Sequence, residues 1–462
     1  MIRIFRHYIP KSLVMLALLE VLVLSLAIIL GASLRLDNNS VLLSGLTFSQ
    51  LTVFCSVIVG TMIAMGLYQR DVHDGKVDMI VRIVLSFAVG MGILSLLFYM
   101  WPDLFFGRGV MAIAIGSGFV GVVLGRLFLF NYVDTTFSQK RAIIVGTGQR
   151  ASRIDNLCKL TDLRSFEVVG YWSIADENQV IDSRYILNSG HTKLVDLVRE
   201  QKVNEIIVAV DDRRKSFPVD DLLDCKMSGV EVIDLITFLE RQTGKIDVDE
   251  IHPSSLIFAD GYAHTVLKPV SKRIFDVVVS FFMLIINLPT MLLAALAIWV
   301  ESGYKGSVFY NQVRVGAGGK IFSVYKFRSM IENAEVDGAQ YAAEDDPRIT
   351  KVGHFIRKTR IDELPQLVNV LRGEMSFVGP RPERPVFVDQ LKNNIPYYNL
   401  RHSLKPGITG WAQVRYPYGD NDEDSAQKLQ FDLYYMKNYS LFLDLSVIFQ
   451  TVSVILWRKG SR

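Results

Sequence analysis

A chain of 462 residues is long enough for two or three domains. Half of its residues are hydrophobic and its mean hydropathy is positive, which argues against an ordinary soluble protein and for several membrane segments. The formal net charge of +3 excludes the global basic field of a nucleic-acid binder, and three widely separated cysteines with no CxxC argue against a zinc site or a disulfide framework.

Residues 1–135 carry four apolar stretches, at 13–34, 48–68, 79–100 and 110–130. Each is about 20 residues, enough to cross a hydrocarbon core, and the first is too long for a signal peptide. Arg3, Arg6 and Lys11 precede the first stretch, Arg70, Lys76 and Arg82 flank the second loop, and Lys140 and Arg141 follow the fourth. The loops near 37–39 and 102–103 carry fewer basic residues. The positive-inside rule therefore puts both ends of this four-helix unit in the cytoplasm. Glu20 alone lies well inside a stretch and marks a helix–helix contact or a functional group.

Residues 136–240 change character. Short apolar strands at 141–145, 166–171, 205–210 and 230–235 alternate with helical runs at 192–201 and 219–227. That order predicts an α/β, Rossmann-like doubly wound parallel sheet. Gly146-Thr147-Gly148-Gln149-Arg150-Ala151 follows the first strand with the shape of a dinucleotide loop. Tyr171-Trp172 stands where an acidic ribose ligand belongs, and no Tyr-x-x-x-Lys pair lies within 141–239, so oxidoreductase chemistry is disfavoured. A ligand-sensing domain and a pure scaffold both remain open. Residues 241–271 read as a connector, whose polar character begins near Phe238.

Lys272-Arg273 opens a fifth apolar stretch at 274–300, interrupted by Asn287-Leu288-Pro289. Proline removes a backbone donor and crowds the preceding turn, so a kink is expected there. Lys305, Arg314, Lys320, Lys326 and Arg328 follow and favour the cytoplasmic side. A re-entrant helix that bends at Pro289 and returns reconciles length with charge, Asn287 serving backbone groups freed at the bend; a kinked full span is the alternative. Near the end, residues 444–456 place apolar side chains at helical spacing before Trp457-Arg458-Lys459, which suits a helix in the membrane interface or a core helix equally.

The densest chemistry-bearing run is Arg360-Ile361-Asp362-Glu363-Leu364-Pro365-Gln366. Leu364, Leu367, Val368 and Leu371 follow helical spacing, which puts Asp362 and Glu363 at a helix start with Pro365 in its first turn. Acidic residues at such a place often do no more than cap the helix. Here Arg357, Lys358 and Arg360 flank them, Gly379-Pro380-Arg381-Pro382-Glu383-Arg384-Pro385 follows, and Lys326 and Arg328 precede. Adjacent carboxylates can share a divalent cation, and guanidinium forks match phosphate oxygens, so the convergence points to an anionic substrate.

Five motifs occur in one order: Lys272-Arg273-(x2)-Asp276, Val324–Met330, Asp362-Glu363-Leu364-Pro365-Gln366-Leu367, the run Gly373 to Glu383, and Lys405-Pro406-Gly407-Ile408-Thr409-Gly410-Trp411. From about Lys272 to the end the chain resembles the monotopic polyprenyl-phosphate sugar-1-phosphate transferases of bacteria. With its four spans and Rossmann-like domain it is similar to their long form, which initiates exopolysaccharide, capsule or O-antigen assembly, and most of all to a PEP-CTERM-associated subgroup. The resemblance implies a mixed α/β catalytic domain at 272–462 on the cytoplasmic face of the bacterial inner membrane. It implies a UDP-sugar donor and undecaprenyl phosphate as acceptor. Asp362 would be the nucleophile, Glu363 the Mg²⁺ ligand, and Lys326, Arg328, Arg360, Arg381 and Arg384 the phosphate-binding groups. Lys272, Arg273, Asn287 and Pro289 would anchor and shape the re-entrant helix. A homo-oligomer, downstream glycosyltransferases and polysaccharide export machinery are the further partners it suggests. Asp432 matches a late motif and reads as structural rather than catalytic. A receptor or assembly scaffold with a degenerate catalytic part is the rival reading, against which the intact Asp362-Glu363 and Pro-Arg-Pro runs speak.

Overall fold

The computed structural model describes residues 2–4, 7–9, 11–35, 47–68, 76–132, 140–160, 166–175, 177–187, 193–212, 217–250, 267–332, 334, 346–416, 419 and 421–457. The loop at 37–39, Arg70 and most of the connector (251–266) lie outside them. Two compact units emerge, one of residues 1–119 with 251–462 and one of residues 120–250.

The first unit opens with an antiparallel pair that the sequence did not announce, β1 (Ile2–Ile4) and β2 (His7–Ile9). Helices α1 (Lys11–Arg35), α2 (Phe48–Ala64), α3 (Lys76–Met100) and α4 (Arg108–Tyr132) follow, the last running on into the second unit. α1, α3 and α4 are long and apolar enough to cross a membrane, whereas α2 has only 17 helical residues. The expected span to residue 68 is cut short at Gly66, whose φ of +79° turns the chain. The turn brings the Tyr68 hydroxyl onto the carboxylate of Glu20, which is buried. Glu20 of α1 thus meets the turn that follows α2 rather than the helix itself. Arg82, also buried in α3, bonds Asp78 at 2.6 Å and the Met65 carbonyl at 2.9 Å, and its guanidinium lies 4.3 Å from the Trp457 ring centre.

The second unit is the doubly wound sheet. Strands β3 (Lys140–Val145), β4 (Phe166–Trp172), β5 (Glu205–Val208) and β6 (Glu231–Asp234) are all parallel, in the order β4-β3-β5-β6. Helices α5 (Gln149–Leu160), α6 (Leu194–Glu200), α7 (Val219–Met227) and α8 (Leu235–Thr243) complete it. Alternate strand residues feed two cores. Ala142 and Ile144 face Ile154 and Phe238, while Ile143 and Val145 face Leu194 and Leu222. Burying each large side chain contributes about 1.5–3 kcal/mol, and a parallel sheet needs both faces covered. The connector therefore starts later than its polarity indicated. Phe238 is fully buried, and Arg241 turns inward to pair with buried Glu205 at 2.6 Å.

Back in the first unit, α9 (Leu267–Glu301) is a 35-residue helix with Pro289 inside it. Pro289 offers no N–H to the Ile285 carbonyl four residues back, and the Asn287 side chain donates instead to the Met283 carbonyl at 2.9 Å, so it does not replace the lost donor. Beyond α9 come the hairpin β7 (Phe309–Val315) and β8 (Ile321–Phe327), α10 (Lys351–Lys358), α11 (Gln366–Arg372), β9 (Ser376–Val378), α12 (Pro385–Asn394), β10 (Gly407–Thr409), α13 (Trp411–Arg415), α14 (Asp422–Lys437) and α15 (Leu441–Trp457). β7 and β8 are antiparallel, and β9 and β10 parallel.

One face of α9 holds this domain from end to end. Lys272, buried rather than turned to lipid headgroups, pairs with Asp276 at 3.1 Å and with Asp444 of α15 at 2.9 Å. Arg273 donates to the Val370 and Leu371 carbonyls at 2.5 and 2.7 Å, closing the C-terminus of α11. Asp276 accepts from the Phe377 N–H at 3.1 Å. At the other end Ala294 and Ile298 pack on Phe327 and Ile356, and Glu301 accepts from the Val352 N–H. The opposite face, including Ile274, Phe282, Ile286 and Leu293, is exposed and apolar.

Candidate active site

Asp362 and Glu363 sit in a 3₁₀ turn (Ile361–Glu363) just before α11 rather than inside its first turn, with Pro365 at the N-cap. Arg360 makes the corner. Its φ of +58° lies in the left-handed region, which costs a non-glycine residue about 1–2 kcal/mol. The corner ends α10 and turns both carboxylates inward, leaving each 8% exposed.

The turn is fixed against β8 by Asn369, which sequence reasoning passed over. Fully buried in α11, it accepts from the Tyr325 N–H at 3.0 Å and donates to the Ser323 carbonyl and the Glu374 carboxylate, each at 2.7 Å. β8 thereby delivers Lys326, whose Nζ lies 3.0 Å from Glu363 Oε1; Arg381 Nη2 reaches the same oxygen at 3.3 Å. Asp362 Oδ1 is buried and makes no hydrogen bond among the described residues. The two carboxyls consequently part. Burial, then the neighbouring Glu363 charge, push Asp362 up to about 6. Burial would raise Glu363 as well, but Lys326, Arg381 and Arg360 outweigh it and hold that carboxyl well below the ordinary range.

Lys326, Arg328, Arg360, Arg381 and Arg384, separate in sequence, all line one cavity of about 1160 Å³ with the acidic pair. Arg328 is turned to Glu332 at 2.8 Å. On another side the cavity is walled by Met283 of α9 and by Thr451, Val454 and Ile455 of α15.

Arg381 is positioned by a buried assembly of which the sequence singled out Asp432 alone. Its carbonyl accepts from Arg401 Nη2 at 3.0 Å, while Arg401 pairs with Asp432 at 2.9 Å and bonds the Tyr398 hydroxyl at 2.6 Å. Burial pushes the Asp432 carboxyl up to about 6 against the pull of Arg401. Asp432 thus acts through Arg401 rather than at the acidic pair. From the other side Arg314 bonds the Pro382 carbonyl at 3.0 Å and Glu383 at 3.3 Å.

Comparison with known proteins gives this arrangement a family. Residues 267–458 match the bacterial sugar transferase model, and residues 63–216 match a CoA-binding domain. A Salmonella typhimurium undecaprenyl-phosphate galactose phosphotransferase is 31% identical over 342 residues, which cover 70% of this chain and 69% of the relative. The chain belongs to the bacterial sugar transferase family. An Aeromonas hydrophila UDP-N-acetylgalactosamine-undecaprenyl-phosphate N-acetylgalactosaminephosphotransferase is 42% identical over 244 residues, 52% of this chain and 56% of its own. A Klebsiella pneumoniae UDP-glucose:undecaprenyl-phosphate glucose-1-phosphate transferase is 38% identical over 270 residues, 56% of this chain and 57% of its own. The chain thus spans little more than half the length of these two relatives. In this sugar transferase the apolar helices mark a multi-pass inner-membrane protein, and the acidic pair and its cationic rim fall inside the matched residues.

The same donors can be tested for Mg²⁺. Among the described residues no group of three or more His, Cys, Asp and Glu could hold a metal, so an all-protein cage is absent there. Mg²⁺ commonly rests on one or two carboxylates plus substrate phosphates. The adjacent pair, with a buried and unpartnered Asp362 oxygen, fits that mode.

Proposed function

We propose that this enzyme transfers a sugar 1-phosphate from a UDP-sugar to undecaprenyl phosphate and releases UMP, initiating exopolysaccharide or related glycan assembly. The observation that carries the reading is a buried carboxylate pair of divided character, set in a cationic cavity that opens along two apolar helices. The names of its relatives agree on undecaprenyl phosphate and a transferred sugar phosphate, and two of them name a UDP-sugar donor.

The residues support a two-step exchange. A carboxylate oxygen of Asp362 attacks the sugar-bearing phosphorus, the bond from that phosphorus to the bridging oxygen breaks, and UMP leaves with the electron pair. An oxygen of the lipid phosphate then attacks the same phosphorus and frees Asp362. Raised to about 6, Asp362 is ionised at neutral pH yet more basic than an ordinary aspartate. Glu363, held ionised by Lys326 and Arg381, keeps the second charge in place and would hold Mg²⁺. When bound, Mg²⁺ supplies positive charge against the diphosphate and the departing UMP. Lys326, Arg328, Arg360, Arg381 and Arg384 orient phosphate oxygens, the main task in phosphoryl transfer. The lipid chain approaches between Met283 and the Val454–Ile455 side of the cavity.

The domain grip on α9 supports a re-entrant topology. Arg273 and Ile298 are about 38 Å apart along a straight helix, more than a hydrocarbon core, yet both hold the same soluble domain. A crossing helix would leave that domain on one face only. With both ends cytoplasmic, the cavity lies at headgroup level, where a soluble UDP-sugar and a lipid phosphate can meet.

Purified membranes incubated with undecaprenyl phosphate and a panel of UDP-sugars test the reading. One UMP should appear for each lipid-linked sugar phosphate with at least one donor. Release of UDP instead of UMP, or no turnover of any UDP-hexose or UDP-N-acetylhexosamine by folded protein, would overturn it.

A further inference from the structure

The second unit carries the loop Gly146-Thr147-Gly148 between β3 and α5, the place where a parallel α/β fold binds nucleotide phosphates, and its family model is that of a CoA-binding domain. The groups such a phosphate would use are already taken. Glu177 Oε2 accepts from the Thr147 N–H at 2.7 Å, and Glu177 Oε1 from the Asp211 N–H at 3.0 Å. Asp211 Oδ2 accepts from the Gln149 N–H at 2.9 Å, and its Oδ1 from the Arg150 N–H at 2.8 Å. These are the first amides of α5, the ones a helix start offers to an anion.

The glycines tell the same story. At Gly146, with φ of +121°, a Cβ would lie 2.5 Å from the Ala209 carbonyl oxygen, so this glycine lets the ends of β3 and β5 close together. At Gly148 a Cβ would lie 2.1 Å from Asp211 Oδ2, so this glycine makes room for the carboxylate. Both fingerprint positions are accounted for by the chain itself. The Thr147 carbonyl, moreover, accepts from the Val180 and Ile181 N–H groups at 2.8 and 3.2 Å, so the segment after Glu177 lies across the loop.

We infer that this loop is an internally filled anion cradle, in which Asp211 and Glu177 stand where phosphate oxygens would, and that it takes neither CoA nor any other nucleotide phosphate. A phosphate entering it would meet two carboxylates within contact distance, and the amides it needs would first have to be released. The carboxylates tie the end of β3 to the segments after β4 and β5, so the unit holds its loop without a ligand. Of the two readings the fingerprint left open, a scaffold follows and phosphate sensing through this loop does not.

Hydrogen exchange on the full-length protein in lipid nanodiscs, with and without CoA, NAD⁺ or inorganic phosphate, tests this. In the wild type the Thr147, Gln149, Arg150 and Asp211 amides should exchange slowly without ligand, and none of the three should change them. Asp211→Ala should speed exchange at Gln149 and Arg150 at least tenfold, and millimolar phosphate should restore much of that protection. Fast wild-type exchange at these amides, or added protection by CoA or NAD⁺, would overturn the inference. So would a folded Asp211→Ala protein in which phosphate changes nothing. If that variant does not fold, the wild-type comparison decides.

Discussion

Replacing Asp362 with Asn should make the enzyme more stable while destroying it as a catalyst. Asp362 is 8% exposed, and one of its oxygens has no hydrogen-bond partner among the described residues. Its carboxyl is pushed from an ordinary 3.8 to about 6, first by burial and then by Glu363. That rise disfavours the charged form by about 3 kcal/mol. The sign follows from linkage. A raised folded value means the native state binds the proton more tightly than the unfolded chain, so stability is full below about 3.8 and is lost as pH climbs toward 6. Asn is neutral at every pH and escapes that loss. At pH 8 the catalytic domain of Asp362→Asn should melt higher than wild type by up to about 6–12 °C, taking about 2–4 °C per kcal/mol. The gap should close as the pH is lowered to 4. Turnover should fall at least about 10³-fold, because the amide is a poor nucleophile. Thermal unfolding in detergent across pH 4–8, with a UMP-release assay on the same preparations, measures both. A variant that melts at or below wild type at pH 8, or a gap that widens in acid, would refute the electrostatic reasoning.

The wild-type rate should fall as pH drops through about 6, and a profile flat down to pH 5 would remove Asp362 as the ionising nucleophile. Glu363→Gln should cut turnover severely and shift the Mg²⁺ titration upward; an unchanged titration would remove it as ligand. Arg401→Met leaves Asp432 buried and unpaired and should destabilise the catalytic domain by about 3–5 kcal/mol. Adding Asp432→Leu should recover part of that loss, and denaturant unfolding that shows no recovery would break the pairing argument. Asn287→Leu with Pro289→Ala restores a donor worth about 3 kcal/mol in a helix interior, so a reporter fused after Val300 should appear partly outside. A reporter that stays wholly cytoplasmic would mean that Arg273, Lys272 and Glu301 fix the topology instead.

The acidic pair and its phosphate-matching rim were legible because residue type and motif order survive in one dimension: Asp362-Glu363, Lys326, Arg381 and Arg384 needed no partner to be noticed. The parallel sheet was legible for a like reason, since apolar runs such as 141–145 and 205–210 alternate with helical patterns. What escaped depends on tertiary pairing. Asn369 looks like any polar helix residue until β8 lies beside it, and Arg401 like any surface arginine until Asp432, far along the chain, meets it. The Gly146 loop left its role open for the same reason. Its spacing is that of a nucleotide fingerprint, while the carboxylates that fill it come from Glu177 and Asp211, which no local pattern links to it. Residues 241–243 were assigned to the connector because Arg241 and Gln242 look exposed, yet Arg241 is buried against Glu205 and the helix runs to Thr243.

The central claim is that Asp362 carries the phosphosugar between nucleotide and lipid. Purified protein incubated with a UDP-sugar labelled at the sugar-bearing phosphorus, with no lipid present, should retain up to one label per active site, and peptide mapping should place it on Asp362. Undecaprenyl phosphate added afterwards should chase that label into the lipid, and Asp362→Asn should take up none. Full turnover with no protein-bound label at any time, or label and turnover that persist in Asp362→Asn, would contradict the account.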